Sequence, residues 1–262
     1  MLDDLAALFR LNVIMFKVDY AWMQVWVYLL TLVVRPSAQV VFFAVMARSI
    51  SGTADVSFQV VGNSIQVCVL VSLYAVADML VTQRRFGILA LTCLAPRSRL
   101  FAFGGQVWLV ALHGVVIAAV AFGIAFALFG LESNSVDWFW LALSFVVAVF
   151  ATSGLGAALG SLGLYLPNIN LVGNVVASLM LSICGVNFAV ESLPRFLQVI
   201  AYCLPITRSA TAARLALQGG GAQVGVLLLE EVALGVAWLI VGCLVYLWAE
   251  NQARRHATLE LF

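Results

Sequence analysis

The sequence predicts an all-α integral membrane protein. It is expected to have six transmembrane helices, an amphipathic interfacial helix at the N-terminus and a re-entrant segment before the last span. Three observations carry that expectation. Of 262 residues, 64% are hydrophobic and only 10% are charged, where a soluble domain carries about 25% charged residues. Charge-free apolar runs recur at roughly the 20-residue length that a helix needs to cross hydrocarbon. Pro-Asn and triple-Gly breaks fall between the longest of them. So few charges cannot clothe a water-exposed surface, and a disordered chain requires low hydrophobicity; both classes are excluded.

The elements follow in order. Residues 1–20 read as the interfacial helix. Leu2, Leu5, Phe9, Val13 and Phe16 recur at spacings of three and four, and Asp3, Asp4, Arg10, Asn12 and Lys17 fall largely on other faces. Such a helix lies along a membrane surface. Asp3 and Asp4 stand where a cleavable signal peptide would carry positive charge, so none is expected. Residues 21–262 read as one six-helix domain. The first span is charge-free from Ala21 to Val34, is interrupted by Arg35-Pro36, and resumes to Ala47. The second covers Val56 to Ala77 and the third about Gln106 to Phe129. Trp138 to Val190 carries no charge and is too long for one helix. Pro167-Asn168-Ile169-Asn170 divides it, because proline breaks the hydrogen-bond ladder and Asn favours turns. The fourth span therefore ends near Leu164 and the fifth starts near Asn170. Within 191–215, the run Phe196 to Thr207 is apolar but short, bracketed by Pro194-Arg195 and Arg208; that length suits a re-entrant segment. After Gly219-Gly220-Gly221 the sixth span runs from near Val224 to near Trp248.

Basic residues set the orientation. With the N-terminus inside, the inner segments hold Arg10, Lys17, Arg84, Arg85, Arg97, Arg99, Arg254 and Arg255, and the outer segments hold Arg48, Arg195, Arg208 and Arg214. Both termini are expected in the cytoplasm, with the chain in the plasma or inner membrane.

Several chemistries are excluded. A net charge of +1 argues against nucleic acid, which wants a basic face. The single lysine, Lys17, follows no glycine-rich run, so the chain lacks the P-loop that cradles nucleotide phosphates. Five cysteines without a CxxC pair, and two histidines, offer neither a disulfide framework nor a metal cluster. No cofactor is expected in this chain.

The loop 83–99 is the most informative segment. Arg84, Arg85, Arg97 and Arg99 give it four arginines and no acid. Phe86, Leu89 or Ala90, and Cys93 can form an apolar stripe at helical spacing, and Pro96 ends the helix. It could offer an apolar and cationic knob to a soluble partner. Equally, its arginines could only set topology and bind anionic headgroups.

Here the chain resembles the permease subunits of ABC-2 type exporters, above all the short drug-, antibiotic- and glycolipid-exporting members. The stretches Arg84-Arg85-Phe86-Gly87-Ile88-Leu89 and Leu94-Ala95-Pro96-Arg97-Ser98-Arg99 are similar to the family's coupling segment. Gly185-Val186-Asn187-Phe188, Leu193-Pro194, Pro205-Ile206-Thr207 and Arg214 are similar to its series after the fifth span. One departure stands out: the family often has Glu before the coupling Gly, where this chain has Gln83 and two arginines. The resemblance implies an ATP-driven exporter subunit that carries no ATP itself. Two ATP-binding cassette subunits would hold ATP and Mg and seat on the coupling segment. A second permease copy or a related permease would complete the route through the lipid bilayer, and an amphiphile would be the cargo.

Further residues carry open alternatives. Arg35 sits near mid-span, where charge is costly; it is a pathway residue or half of a packing ion pair, with Asp78 a possible partner. Asn63, Gln66 and Tyr74 keep broadly to one helical face. They could line a route with Phe42 and Phe43, or bond between helices. Glu230 and Glu231 are expected at the headgroup boundary. Gly156 and Gly160 make a face for close helix packing. A rival function, an intramembrane serine protease, would need Ser153 and His113 in reach of each other; a non-transporting scaffold is another.

Overall fold

The computed structural model describes residues 24–51, 56–85, 99–130, 135–163 and 169–255. The expected interfacial helix at 1–20 lies outside them. Every regular element among the described residues is helical. Helix α1 (Val25–Leu29) passes through a π-helical turn, Leu30–Val34, into α2 (Arg35–Ser51). There follow α3 (Ser57–Arg85), α4 (Arg99–Phe129), α5 (Trp138–Leu162) and α6 (Ile169–Ile183). Beyond a 3-10 turn at Val190–Ser192 come two short helices, α7 (Arg195–Cys203) and α8 (Thr207–Leu217), and then the long α9 (Gly221–Arg255).

Five segments are long and apolar enough to cross a membrane: Trp26–Ile50, Ser57–Met79, Leu112–Phe129, Trp138–Leu162 and Gly221–Trp248. They match the first, second, third, fourth and sixth expected spans. The fifth is a helix of only 15 residues, where the charge-free run suggested continuation to Val190. It stops because the chain turns at Gly185, whose φ of 75° is the left-handed conformation that favours glycine. The first span is expected to continue through the polar interruption at Arg35-Pro36, and it does. Pro36 has no N–H to give and its ring crowds the preceding turn; the π-turn just before it absorbs that crowding and the helix continues.

Helix α5 is the hub, and every residue from Ala151 to Gly160 is buried. A helix apolar all round belongs inside a bundle. Without a hydrophobic drive between helices in lipid, close backbone approach supplies the packing, and small residues permit it. A Cβ at Gly154 would lie 2.6 Å from Gly235 O, and one at Gly235 would lie 2.6 Å from Ala151 Cα. These residues seat α9 on α5. The expected packing face does the same toward α3: a Cβ at Gly156 would lie 3.1 Å from Leu73 O, and one at Gly160 3.0 Å from Ala77 O. Asp137 caps α5 by accepting from Trp140 N–H at 3.3 Å, satisfying one of the free donors of the first turn.

Candidate functional site

The segment between α6 and α9 builds a hairpin. It leaves the end of the bundle at Pro194, which precedes α7, and descends. It turns at Leu204-Pro205-Ile206 and returns along α8. Ser135 Oγ donates to Leu217 O at 3.0 Å, and Asp137 N–H donates to Ala216 O at 2.9 Å. Those two bonds tie the end of α8 to the start of α5. At the other end of α8, Ile206 N–H reaches Glu231, ten residues into α9 and thus roughly 15 Å from its start. The hairpin therefore enters and leaves at one end of the bundle.

Arg214 pins the hairpin to the rest of the fold. Its Nη2 donates to Gly185 O at 2.7 Å, to Val186 O at 2.9 Å and to Phe58 O at 3.2 Å. Its guanidinium carbon sits 3.4 Å above the Phe58 ring, a cation–π contact. One planar group thus joins α3, the turn after α6, and α8. Burial pulls the guanidinium pKa down to about 9 while Glu191 acts the other way, so it stays cationic at neutral pH. Gly62 makes room: a Cβ there would collide with Val186 O and lie 2.6 Å from Arg214 Nη2. Of the motif residues expected here, Gly185 and Arg214 are in direct contact, Pro205 is buried in the turn, and Pro194 is exposed.

The hairpin tip corrects one expectation. Glu230 and Glu231, expected together at the headgroup boundary, have opposite surroundings. Glu230 is half-exposed and pairs with Arg208 at 2.9 Å, whereas Glu231 is wholly buried. One Glu231 oxygen accepts from Ile206 N–H, and the other has no hydrogen-bond partner. The reason lies in α8, whose first N–H groups have no intrahelical acceptor and whose N-terminal field favours an acid. Ile206 itself has φ 104°, which for a β-branched residue costs about 1–3 kcal/mol. Thr207 Oγ1 donates to Ala201 O at 2.6 Å, and Trp238 Nε1 donates to Cys203 O at 3.0 Å.

A polar seam runs between α3 and α6. Asn63 Nδ2 donates to Asn187 Oδ1 at 2.8 Å, Gln66 Nε2 to Ala177 O at 3.5 Å, and Tyr74 Oη to Asn174 Oδ1 at 2.7 Å. The structure thus brings Asn63, Gln66 and Tyr74 to one face, where Gln66 and Tyr74 bond to α6 and Asn63 to the turn that follows it. Asn63 Oδ1 and Gln66 Oε1 stay without partners. Phe42 and Phe43 lie on α2, edge to face at 5.4 Å, with Phe42 exposed. Arg35 is exposed, and Tyr74 lies within electrostatic reach of both Arg35 and Asp78. Flanking that seam, Asn174 with Ser178 and Ser182 forms an exposed polar stripe beside Leu171, Val175 and Leu179.

The family model of the ABC-2 type transporter matches residues 11–217. The chain belongs to the ABC-2 type transporter family. No curated protein gives a match. This is therefore a multi-pass membrane permease subunit of an ABC exporter, a transport chain and not itself a catalyst.

The match covers residues 83–99 and the hairpin of this ABC-2 permease, and it ends where α8 ends. Arg84 and Arg85 close α3, at the end remote from the hairpin; their side chains lie outside the described residues. So do Phe86, Gly87, Leu89, Ala90, Cys93, Pro96 and Arg97. The residues of the protease rival are engaged separately. Ser153 Oγ donates to Val149 O at 2.7 Å and lies 2.8 Å from Ser72 Oγ. His113 Nε2 instead lies 2.8 Å from Tyr28 Oη. Sequence reasoning missed Gly62, Asn187 and the burial of Glu231. The available signal was an acid placed well inside an apolar run, which deserves a functional reading by default.

Proposed function

We propose that this permease is the membrane half of an ATP-driven exporter that moves an amphiphile out of the cell. Two copies, or this chain and a related permease, flank the route. Two ATP-binding cassette subunits hold ATP and Mg, none of it on this chain, and push on the segment Arg84 to Arg97. Both termini and that segment face the cytoplasm of a plasma or inner membrane. The supporting observation is the outer face of α6. In a lone chain Ser178 and Ser182, and the edge of Asn174 that Tyr74 leaves open, would meet lipid, where polar groups are costly. A second copy across a wet route relieves that cost. The neighbouring Leu171, Val175 and Leu179 give the same face an apolar half, which suits a cargo with a headgroup and a tail.

The test is flux in proteoliposomes of the purified complex, using a panel that includes a cationic drug and a glycolipid. Export that requires ATP hydrolysis and is lost in Arg84→Glu/Arg85→Glu, together with loss of the bound ATPase, supports the reading. A complex in which the segment touches only lipid or water, or one without ATP-dependent flux, overturns it.

A further inference from the structure

Glu231 lies where two opposing forces meet. Its carboxyl holds the Ile206 N–H at the hairpin tip, facing the first turn of α8. Arg208 and Ser209 approach it from α8, and Cys184 and Thr207 lie beside it; Glu230, next on α9, is turned to Arg208. Against this bond works the Ile206 backbone, held at φ 104°, which relaxes if the tip departs. The surface pair Arg208–Glu230 is of the exposed kind that contributes little. Trp238 Nε1 on α9 also reaches Cys203 O at the tip, but on the exposed side; Glu231 is the buried anchor, set against local strain, and a packed element of this kind can switch between two discrete arrangements.

We propose that Glu231 is a positioning residue, a latch that holds the hairpin tip against α9, and that breaking its bond to Ile206 lets the hairpin swing out and open that end of the permease. The part played in transport rests on the exporter reading; the latch itself is a property of the resting chain.

Cys184 is buried beside Thr207, under the tip, and Cys68 is buried on α3. Each serves as sole thiol in a full complex whose other cysteines are Ala, and the rate of reaction with N-ethylmaleimide is measured. At rest, Cys184 reacts about tenfold faster in Glu231→Ala than in the parent, and Glu231→Gln, which keeps an acceptor but not the charge, falls between. Glu230→Ala leaves the rate unchanged. Cys68 keeps its parental rate throughout, because opening is local. In the parent, Cys184 reacts faster while the complex turns over ATP.

Equal Cys184 rates in Glu231→Ala and parent overturn the latch. So does a Glu230→Ala rate as high as that of Glu231→Ala, or an equal acceleration at Cys68, which marks general loosening. If Glu231→Ala does not assemble, Glu231→Gln decides on the same criteria. An unchanged parental rate during ATP-driven flux overturns the latch's part in transport and leaves the exporter. The expected resting order without any ATP-driven flux does the reverse.

Discussion

Arg214 Nη2 and the carbonyl of Gly185 meet at 2.7 Å across 29 residues of chain, and that contact decides where α6 ends and how deep the hairpin sits. Replacing the guanidinium leaves the carbonyls of Phe58, Gly185 and Val186 without this donor. Each buried group left unsatisfied costs about 1–3 kcal/mol. Arg214→Ala is therefore expected to lower the thermal midpoint of the purified permease steeply. Arg214→Lys recovers little of it, since an ammonium cannot present a planar fork to three carbonyls or stack on Phe58. Thermal unfolding in detergent measures both; a Lys variant as stable as the parent would show that charge alone suffices.

Gly62 gives a sharper version of the same test. A side-chain carbon there meets the Val186 carbonyl and Arg214 Nη2, whereas one at Gly123 on α4 meets nothing within 4 Å. Both glycines sit in helices, where Gly→Ala alone stabilises by about 1 kcal/mol. Gly123→Ala should hold or raise the midpoint and Gly62→Ala should lower it. The same substitution with opposite sign is read in parallel melts, and a shared sign would refute the close approach at Gly62.

Most of the helix layout was legible because membrane helices write themselves as charge-free runs, and the small-residue face at Gly156 and Gly160 because its spacing is helical. Gly185, Pro205 and Arg214 were legible as a series, but not as a contact. What stayed hidden depends on partners distant in sequence. The stop of α6 at Ile183 comes from a glycine turn locked by Arg214, while the charge-free run continues to Val190. An acid inside an apolar run marks the position of Glu230 and Glu231, but which of the two turns inward depends on the start of α8, which lies 25 residues earlier.

The α3–α6 seam separates packing from route by energetics. If Tyr74 and Asn174 only join helices, the double-mutant cycle Tyr74→Phe with Asn174→Ala gives a coupling of roughly 0.6 kcal/mol, typical of bonds between membrane helices. Cargo selectivity then stays parental in both single variants. The cycle is read from unfolding midpoints, and selectivity from competition between two amphiphiles in the flux assay. A selectivity change in Tyr74→Phe without a stability change would assign the hydroxyl to the cargo instead.

Arg35 offers the opposite case. It is exposed in the single chain, just past the π-turn of a spanning helix, so its charge has to meet water or another protein surface. A packing role inside this chain predicts that Arg35→Ala lowers stability and yield. A role on the route or at the facing permease predicts normal yield, a midpoint within about 0.5 kcal/mol of the parent as for other exposed substitutions, and altered flux. The exposure favours the second outcome, with transport reduced about tenfold and Arg35→Lys restoring part of it, since a cation near the turn is retained. Size-exclusion profiles and thermal midpoints report assembly; initial export rates report the rest. A destabilised Arg35→Ala with unchanged transport per assembled complex would return Arg35 to a structural role.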